Sequence, residues 1–547
     1  MATGALDRVH HELSIHAPDA TSVRVVVAPA DGATTATVDL SREGDRWTGV
    51  IDAELGDTYW LEVDGSGPLL DPSAWDVVAT GDGPRSVLAQ PWPRRPQGAP
   101  LALGPGEQPV VYEMHVRQFA RTFGGVAARL DHLVDLGIDV IELMPVHPFD
   151  ATDNQWGYMP WVWGAVHREY ADQPDAAADE LARLVAAAHE RGLHVWLDVV
   201  LNHTGEGDAS LPTLSLRGID DRHAYRRHGD GTYTDDSGCG NDVDPSSKCI
   251  RALVLEALDR FADLGIDGFR FDLASLLTRD GGELVARITE WARRRGVALV
   301  AEPWDLGAYQ VGVTWPEPSW RQWNDRFRED VRGFLRGEPG LVTAMLQRVQ
   351  GSPDLFGDGR QAAERTVNFL SAHDGLTLHD LTIVTSDRHR SWACPPELQR
   401  QQLRNYLTVL LLSAGTAMFV MGDEVGRTQG GHDNPYDIDG PLTWFDWQRA
   451  ADWRDLHDHT AAVVRLRREC PIVDVRWYGT TGEVDGSWES RSLAWATDDL
   501  YVMVNAWWEP LTFEVQEPGE WDVAIATAPL DGLTLAPRSV VALRRRR

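Results

Sequence analysis

Lysine is almost absent from this 547-residue sequence, and cations as a whole are outnumbered by anions. Lys248 is the single lysine among 51 Lys and Arg residues, which face 83 Asp and Glu residues. The resulting formal net charge of −32 repels polyphosphates and anionic lipid headgroups. We therefore expect no nucleic-acid partner and no membrane partner. The lack of lysine has two interpretations, genomic base composition or an acidic surface suited to a salty habitat.

Cysteine is also rare, and the four cysteines form no CxxC pair. This spacing indicates neither a zinc site nor a dense disulfide framework, so we expect buried free thiols in a reducing compartment. Residues 1–14 contain no apolar signal region, and no apolar run approaches the ~18 residues of a membrane helix. The chain is therefore predicted to be cytoplasmic. The cysteines are Cys239, Cys249, Cys394 and Cys470.

What the sequence does contain falls into three regions of different pattern. Residues 1–98 alternate apolar and polar positions in short runs separated by Gly, Asp and Pro, which predicts an N-terminal β-sandwich. The proline-rich stretch at 91–105 is expected to be a stiff connector. Residues 106–472 alternate strands with amphipathic helices, and residues 473–547 return to β-strand patterns. We therefore expect a central α/β domain followed by a C-terminal β-sheet domain.

The central region contains seven apolar strands that each end in polar residues. Strands and helices that alternate over ~350 residues predict parallel strands, either in a doubly wound sheet or in a (β/α)8 TIM barrel. The barrel is favoured because candidate chemical residues follow several different strands and no GxGxxG turn follows an early strand. A weaker sixth strand is expected near residues 321–327. A functional excursion over the barrel mouth is expected at about 204–247.

Three carboxylates lie at the ends of three predicted strands: Asp272 in GFRFDLAS, Glu302 in VAEPWD and Asp374 in SAHDG. The mouth of a barrel would bring them together. A retaining glycosidase needs an acid that protonates the leaving oxygen and a carboxylate nucleophile ~5 Å away. Arg270 lies on the same strand face as Asp272 and can keep that carboxylate ionised, while an apolar setting would raise the pKa of Glu302. The pattern predicts the cleavage of an acetal.

Each of these residues taken alone has an ordinary structural interpretation. Aspartate and glutamate at strand ends often cap helices or pair with arginine. His203 or His373 alone would be a hydrogen-bonded loop histidine. Their occurrence together, at the ends of successive strands, favours catalysis. Asp198 and Asn202 are open to a further interpretation as a pair of calcium ligands.

Four segments resemble a known family. DVVLNHT (198–204), GFRFDLAS (268–275), AEPWD (301–305) and SAHDG (371–375) resemble, in order, the four signature regions of the α-amylase family, glycoside hydrolase family 13. Further segments resemble the isoamylase and glycogen-debranching branch, among them SLRGIDDRHAY (215–225), SGCGND (237–242) and GDEVGRTQGGHDNPY (422–436). The resemblance extends over nearly the whole chain, and it implies that the first domain is like a glycogen-binding family 48 module.

The resemblance implies a role for each matching residue. Asp272 is implied as the nucleophile, Glu302 as the acid/base and Asp374 as the stabiliser of the transition state. No metal and no cofactor are implied, and the implied substrates are glycogen, limit dextrin and branched maltooligosaccharides. The residues implied to contact the sugar or to support this network are Arg270, His203, His373, Tyr158, Trp156 and Asp198.

One departure from the family pattern follows Asp374. Debranching relatives have an Asn- and Gly-rich insertion there that shapes the pocket around the branch, and residues 379–404 leave little room for it. The leading hypothesis is a retaining hydrolase of α-1,6 branch linkages that prefers short branches. The alternatives are a related hydrolase or transglycosylase acting on α-1,4 glucans or maltooligosyl trehalose, and a glucan-binding protein without catalysis. The last is disfavoured because the carboxylates and the arginine are all present.

Overall fold

The computed structural model describes residues 8–30, 35–92, 103, 106–152, 154–357 and 360–546. Most of the proline-rich connector predicted at 91–105 lies outside these residues, as does the predicted domain boundary at 98. Residues 1–7, half of the segment predicted to lack an apolar signal region, are also outside them. In the described ranges, no helix combines the length and the apolar character that crossing a bilayer requires.

The N-terminal region consists of two antiparallel sheets packed face to face. One sheet has the order β1-β5-β4, and the other has the order β3-β2-β6-β9-β8 with β7 paired to β6. Alternating residues such as Val25 and Leu61 point between the sheets and are fully buried, as the period of a half-buried strand requires. The strands are β1 (Arg8–His16), β2 (Val23–Ala28), β3 (Ala36–Asp39), β4 (Ser41–Glu43), β5 (Arg46–Glu54), β6 (Thr58–Val63), β7 (Ser66–Leu69), β8 (Val77–Thr80) and β9 (Gly83–Val87).

The central region is a closed barrel of eight parallel strands whose spatial order follows the chain. The ring closes because the first strand pairs with the eighth, with Val110 opposite Ala417. This confirms the TIM barrel over the doubly wound sheet, and the weak sixth strand forms at Arg321–Asn324. The strands are β10 (Val110–Met114), β11 (Val140–Leu143), β12 (His194–Val199), β13 (Gly268–Phe271), β14 (Ala298–Ala301), β15 (Arg321–Asn324), β16 (Thr366–Phe369) and β17 (Thr416–Val420).

The helices between these strands bury one apolar side against the barrel. In the helix Ala177–Glu190 the buried stripe includes Leu181, Leu184 and Ala188, at helical spacing. Gly192 follows this helix with a φ of +76°, the left-handed conformation that suits glycine after a helix end. The helices in the described residues are α1 (Val116–Ala120), α2 (Phe123–Ala127), α3 (Leu130–Leu136), α4 (Ala177–Glu190), α5 (Leu216–Ala224), α6 (Lys248–Leu264), α7 (Glu283–Arg295), α8 (Asp325–Arg336), α9 (Val342–Val349), α10 (Pro353–Phe356), α11 (Arg360–Arg365), α12 (Pro396–Leu411), α13 (Trp447–Asp452) and α14 (Arg454–Glu469).

The C-terminal region is a five-stranded antiparallel sheet of order β18-β19-β20-β24-β22, with a two-stranded sheet β21-β23 beside it. Trp495 and Val502 of this sheet belong to the same hydrophobic core as Leu407 of α12 and Val463 of α14. The sheet is therefore packed directly on the barrel helices. The strands are β18 (Arg476–Tyr478), β19 (Ser492–Ala496), β20 (Leu500–Asn505), β21 (Leu511–Thr512), β22 (Trp521–Ala526), β23 (Thr534–Leu535) and β24 (Ser539–Arg545).

On four neighbouring strands, β10 to β13, the side chains that point into the barrel become charged toward the carboxyl end of the strand. Val111, Val140 and Trp196 belong to one buried cluster that fills the barrel interior. Side chains two positions further along a strand point to the same face. On β10, β11 and β12 these side chains are Glu113, Glu142 and Asp198, and on β13 the inward side chain is Arg270. The barrel therefore carries its charges toward the carboxyl ends of its strands.

Candidate active site

A single buried guanidinium, that of Arg270, joins carboxylates from three neighbouring strands. Its Nη1 donates to both carboxylate oxygens of Asp198, each at 2.9 Å, and to Oδ1 of Asp272 at 3.1 Å. Its Nη2 lies 2.9 Å from Oε2 of Glu302. The guanidinium carbon lies 4.3 Å from the ring centroid of Trp323. Arg270 is completely buried, so these anions are the groups that balance its charge.

Asp272 is fixed by hydrogen bonds to both of its carboxylate oxygens. Besides Arg270 at Oδ1, Asn202 Nδ2 donates to Oδ2 at 2.9 Å and to the Asp272 carbonyl at 2.7 Å. These donors hold the Asp272 carboxylate in one orientation. The structure thus gives Asp198 and Asn202 protein partners at this site, which is a different use from the calcium pair considered above.

Glu302 follows β14 and has a shifted pKa. Burial and the nearby Asp272 together raise the pKa of Glu302 to about 7, because Arg270 offsets only part of their effect. The Leu273 backbone N–H donates to Oε2 at 2.8 Å. Two adjacent carboxyl groups therefore have different environments, one oriented by side-chain donors and one able to keep a proton near neutral pH, which is the pattern of a nucleophile and an acid.

Asp374 lies exposed at a cavity of about 550 Å³ that Glu302 also lines. Desolvation in the cavity would raise the pKa of Asp374, but His373, Arg328 and Arg270 outweigh it, and the pKa is lowered. Asp374 is therefore an anion that faces the same space as Glu302. The remaining lining residues are Trp304, Asp305, Leu306, Gly307, Ala308, Tyr309, Trp323, Asp325 and Arg328.

His373 and Tyr158 form an aromatic pair beside the carboxylates. Their rings stack with centroids 5.0 Å apart, and the Tyr158 hydroxyl donates to Asp198 at 2.6 Å. His373 Nδ1 lies 2.7 Å from Oε1 of Glu113. Burial alone would lower the pKa of His373, but Glu113 outweighs it and raises the pKa to about 9. Trp156 is buried behind the pair, edge-on to His373 at 5.3 Å, so it supports the wall of the site.

His203 connects the end of β12 to the aromatic pair. Its Nε2 lies 2.6 Å from the Tyr158 carbonyl oxygen, and its Nδ1 contacts Oδ1 of Asn202. Burial alone would lower the pKa of His203, but Cys239, Asp272 and the Tyr158 carbonyl outweigh it and raise the pKa to about 9. The structure thus brings together all nine residues predicted from the sequence, with Trp156 in a supporting position.

Several residues of the site were not singled out from the sequence. Glu113 holds His373, and Glu142 lies opposite it in the β10–β11 register. The pKa of Glu142 is well raised by burial and by the neighbouring Glu113 and Asp198, so this carboxyl is neutral. Trp323 packs against Arg270. A single glutamate inside an otherwise apolar strand, as in VVYEM and VIEL, is the signal that could have identified the first two.

The chain is similar to known proteins in both sequence and fold. Residues 117–212 match the family model described as "Alpha amylase, catalytic domain". The chain is 31% identical to "Isoamylase SU1, chloroplastic" of Zea mays, over 90% of this chain and 76% of that protein. It is 34% identical to the "Glycogen debranching enzyme" of Salmonella typhi, over 80% of this chain and 75% of that protein. A pullulanase from Anoxybacillus sp. LM18-11, solved with maltotetraose, shares the fold with a TM-score of 0.81 at 21% identity, covering 100% of this chain and 88% of that one.

Proposed function

Because the chain belongs to the isoamylase and glycogen-debranching branch of the α-amylase family, we propose that it hydrolyses α-1,6 branch linkages of glycogen-type glucans with retention of configuration. The observation that carries the chemistry is the arrangement around Arg270. One guanidinium contacts both Asp272 and Glu302, while the pKa of Glu302 is raised to about 7. One guanidinium thereby holds the proposed nucleophile beside the proposed acid, and the acid lines the cavity.

In the first step Asp272 attacks the anomeric carbon of the sugar on the nonreducing side of the branch. Glu302 gives its proton to the glycosidic oxygen, so the bond between that oxygen and the anomeric carbon breaks as the bond to Asp272 forms. The products of this step are a released glucan chain with a free 6-hydroxyl and a glycosyl ester on Asp272. Asn202 and Arg270 hold the attacking carboxylate in place.

In the second step Glu302, now ionised, takes a proton from water as the water attacks the anomeric carbon. The ester bond to Asp272 breaks, and both carboxyl groups return to their starting states. Two displacements at one carbon restore the original configuration. We assign Asp374 to the sugar hydroxyls in both transition states, because it is the anion that shares the cavity with Glu302.

The cavity rim supports a preference for short branches. The turn after β14 exposes Leu306 and Tyr309, and the rings of Trp304 and Tyr309 are parallel with centroids 6.5 Å apart. These apolar faces suit contact with one or two sugar rings. The chain after Asp374 reaches α12 at Pro396, so little wall remains to contact a long outer chain. Each missing contact is worth only about 1–3 kcal/mol of discrimination.

The experiment that tests the proposal compares four glucans: limit dextrin, amylopectin, amylose and maltooligosyl trehalose. We expect the highest kcat/KM on limit dextrin at matched concentrations of branch points, with the Asp272→Asn variant as the inactive control. If release of trehalose is the fastest reaction, the function is instead the cleavage of maltooligosyl trehalose. If linear amylose is cut fastest, the function is instead the cleavage of α-1,4 glucans. Proton NMR of the early reaction should show the α-anomer, and immediate β-anomer would contradict retention.

We further propose that the protein acts in the cytoplasm. A bacterial relative is named as a debranching enzyme, whereas the plant relatives carry the word chloroplastic in their names. Fractionation of the source cells, with antibody detection of the chain in the soluble and membrane fractions, would test this. Recovery of the protein from outside the cell would contradict it.

A further inference from the structure

The junction between the N-terminal sandwich and the barrel brings together three side chains that are far apart in sequence. His16 is the last residue of β1, Asp220 lies in α5 and Cys249 lies in the first turn of α6. One ligand-type atom from each of them, a ring nitrogen, a carboxylate oxygen and the thiol sulfur, lies within 4.8 Å of the other two. None of the three lines the catalytic cavity.

Hydrogen bonds already orient this cluster. His16 Nδ1 lies 3.0 Å from Oδ2 of Asp220, and His223 Nδ1 lies 2.7 Å from the other oxygen, Oδ1. Asp220 has non-helical backbone angles, φ −150° and ψ 49°, so α5 is kinked where it turns this carboxylate toward the sandwich. A second imidazole that fixes a ligand carboxylate is a usual support for a metal site.

The three atoms have the spacing that a small cation requires. With one side of 3.0 Å and no side above 4.8 Å, a point equidistant from them lies no more than roughly 2.5 Å from each, whereas Zn²⁺ takes N or O at about 2.0–2.1 Å and S at about 2.3 Å. Small rotamer changes close that difference. A mixed set of thiolate, imidazole and carboxylate also suits Zn²⁺ better than Ca²⁺ or Mg²⁺, which prefer oxygen ligands.

The surroundings supply an entry path and charge balance. Cys249 and His16 line a cavity of about 300 Å³ at the junction, which leaves room for a water in a fourth ligand position. Two cations, Arg46 and Lys248, also line this cavity, and Arg46 is held by the hydroxyl and carbonyl of Ser14. Asp220 is almost fully buried, and none of the hydrogen bonds among the described residues engages the buried thiol of Cys249. One carboxylate and one thiolate together neutralise a divalent cation.

We propose that His16, Asp220 and Cys249 bind one Zn²⁺ ion that joins the sandwich to the barrel, with His223 positioning Asp220. The ion replaces the thiol proton of Cys249, which leaves to solvent, and no redox change occurs. Because His16 comes from the sandwich and the other two ligands from barrel helices, bound zinc crosslinks the two regions. The site is structural and takes no part in glycoside cleavage.

The test uses the untagged full-length chain, so that no affinity tag binds the metal. Zinc bound per chain is measured by elemental analysis after exchange against a weak competing indicator. We expect one zinc per chain and a dissociation constant raised at least about tenfold in Cys249→Ser, in His16→Gln and in Asp220→Asn. Cys394→Ser is the matched control, because Cys394 is also a buried thiol but bonds to the Thr382 carbonyl instead of this cluster.

Cobalt substitution identifies the ligands directly. Co²⁺ in the wild type and in Cys394→Ser should show a thiolate charge-transfer band that is absent in Cys249→Ser. Zinc should raise the Tm of the wild type and not that of Cys249→Ser, while activity below the Tm survives chelation by EDTA. Substoichiometric zinc in the wild type, or a thiolate band that persists in Cys249→Ser, would overturn the proposal. These readouts do not depend on the proposed function, because metal content and spectra are measured without substrate.

Discussion

The barrel contains two sets of three carboxylates that differ in burial and in partners. The inner carboxylates, Glu113, Glu142 and Asp198, point into the barrel from β10, β11 and β12, and each is only 1% exposed. The mouth carboxylates, Asp272, Glu302 and Asp374, follow β13, β14 and β16, and Glu302 and Asp374 line the cavity. Asp272 and Glu302 are 9% exposed, and Asp374 is exposed. Arg270 contacts members of both sets.

The comparison distinguishes the carboxylates that we assign to the reaction from those that position other side chains. Inner carboxylates bind other protein groups: Glu113 contacts His373, and Asp198 contacts Tyr158 and Arg270. Burial also raises the pKa of Asp198 to about 6, despite the arginine. Glu302 and Asp374 of the mouth set line space that a sugar can occupy. We therefore assign the inner set to contacts within the protein and the mouth set to the substrate, so substitutions in the two sets should have very different effects.

The largest effect should come from removing the two catalytic carboxyl groups of the mouth. We expect Asp272→Asn and Glu302→Gln each to lower kcat on limit dextrin by more than about a hundredfold, because each change removes a nucleophile or a proton without changing volume. The Tm should stay near that of the wild type. A glucosyl fluoride, whose leaving group needs no proton, should form the glycosyl ester in Glu302→Gln and not in Asp272→Asn. Retained turnover in either variant would contradict the assigned roles.

The pH dependence of kcat/KM should follow the ionisation of Glu302, a mouth carboxylate, and not that of the inner carboxylates. Glu302 must be protonated to act as the acid, and the protonated fraction falls as the pH rises through its pKa of about 7. We therefore expect kcat/KM to fall about tenfold per pH unit above that value. The control is the fluoride substrate, whose ester-forming step should lack this decline. If kcat/KM on limit dextrin stays constant up to pH 9, the raised pKa of Glu302 does not control the reaction, and this would contradict the prediction.

Glu113→Gln should have an intermediate effect, because it acts through His373. Loss of this charge-assisted contact should lower kcat about tenfold with little change in the Tm at alkaline pH. The pKa of His373 is raised to about 9 in the folded protein, so its stabilising contribution is complete below its ordinary pKa of 6.5 and is lost as the pH rises through 9. Wild-type stability should therefore decline across that range more than that of the variant. If the stability of the wild type and of Glu113→Gln declines equally with pH, Glu113 does not raise the pKa of His373.

The smallest effect is expected at Glu142. Its carboxyl is neutral because burial, Glu113 and Asp198 all raise its pKa, so an amide of the same shape replaces it without changing the local charge. We expect Glu142→Gln to change kcat by less than about threefold between pH 5 and 8. A change as large as that of Glu113→Gln would show that the two inner glutamates share one essential proton, and the two sets would then be less distinct than their burial indicates.

The sequence predicted the barrel and its mouth well because both depend on local patterns. Strands such as HVWLDV and GFRF are uninterrupted runs of buried residues. The mouth carboxylates lie in short motifs at the ends of such strands. β15 was predicted only approximately, because three of the four residues of RQWN are polar and bond to other groups of the barrel region. Glu113 and Glu142 were missed because their importance arises from a cross-strand register, not from a neighbouring residue.

The cluster of His16, Asp220 and Cys249 could not be predicted from the sequence. His16 and Asp220 are 204 positions apart, and no periodic pattern connects the end of β1 to the kink in α5. Cysteine spacing indicated no zinc site because the ligands come from separate elements that only the packed fold brings together. The nine residues predicted for the active site lie in or after strands of one barrel, whereas this cluster depends on how two regions pack together.

The closure of the ring between β10 and β17 also determines when the barrel can form during synthesis. Val110 pairs beside Ala417, so the last strand must leave the ribosome before the first one is covered. At about 5–20 residues per second, the intervening chain takes roughly 15–60 s to make. Throughout that time β10 presents an unpaired edge that other chains can bind. The sandwich, whose last strand ends at Val87, is complete long before this, so a nascent chain should need chaperone protection mainly while residues 110–417 are being made.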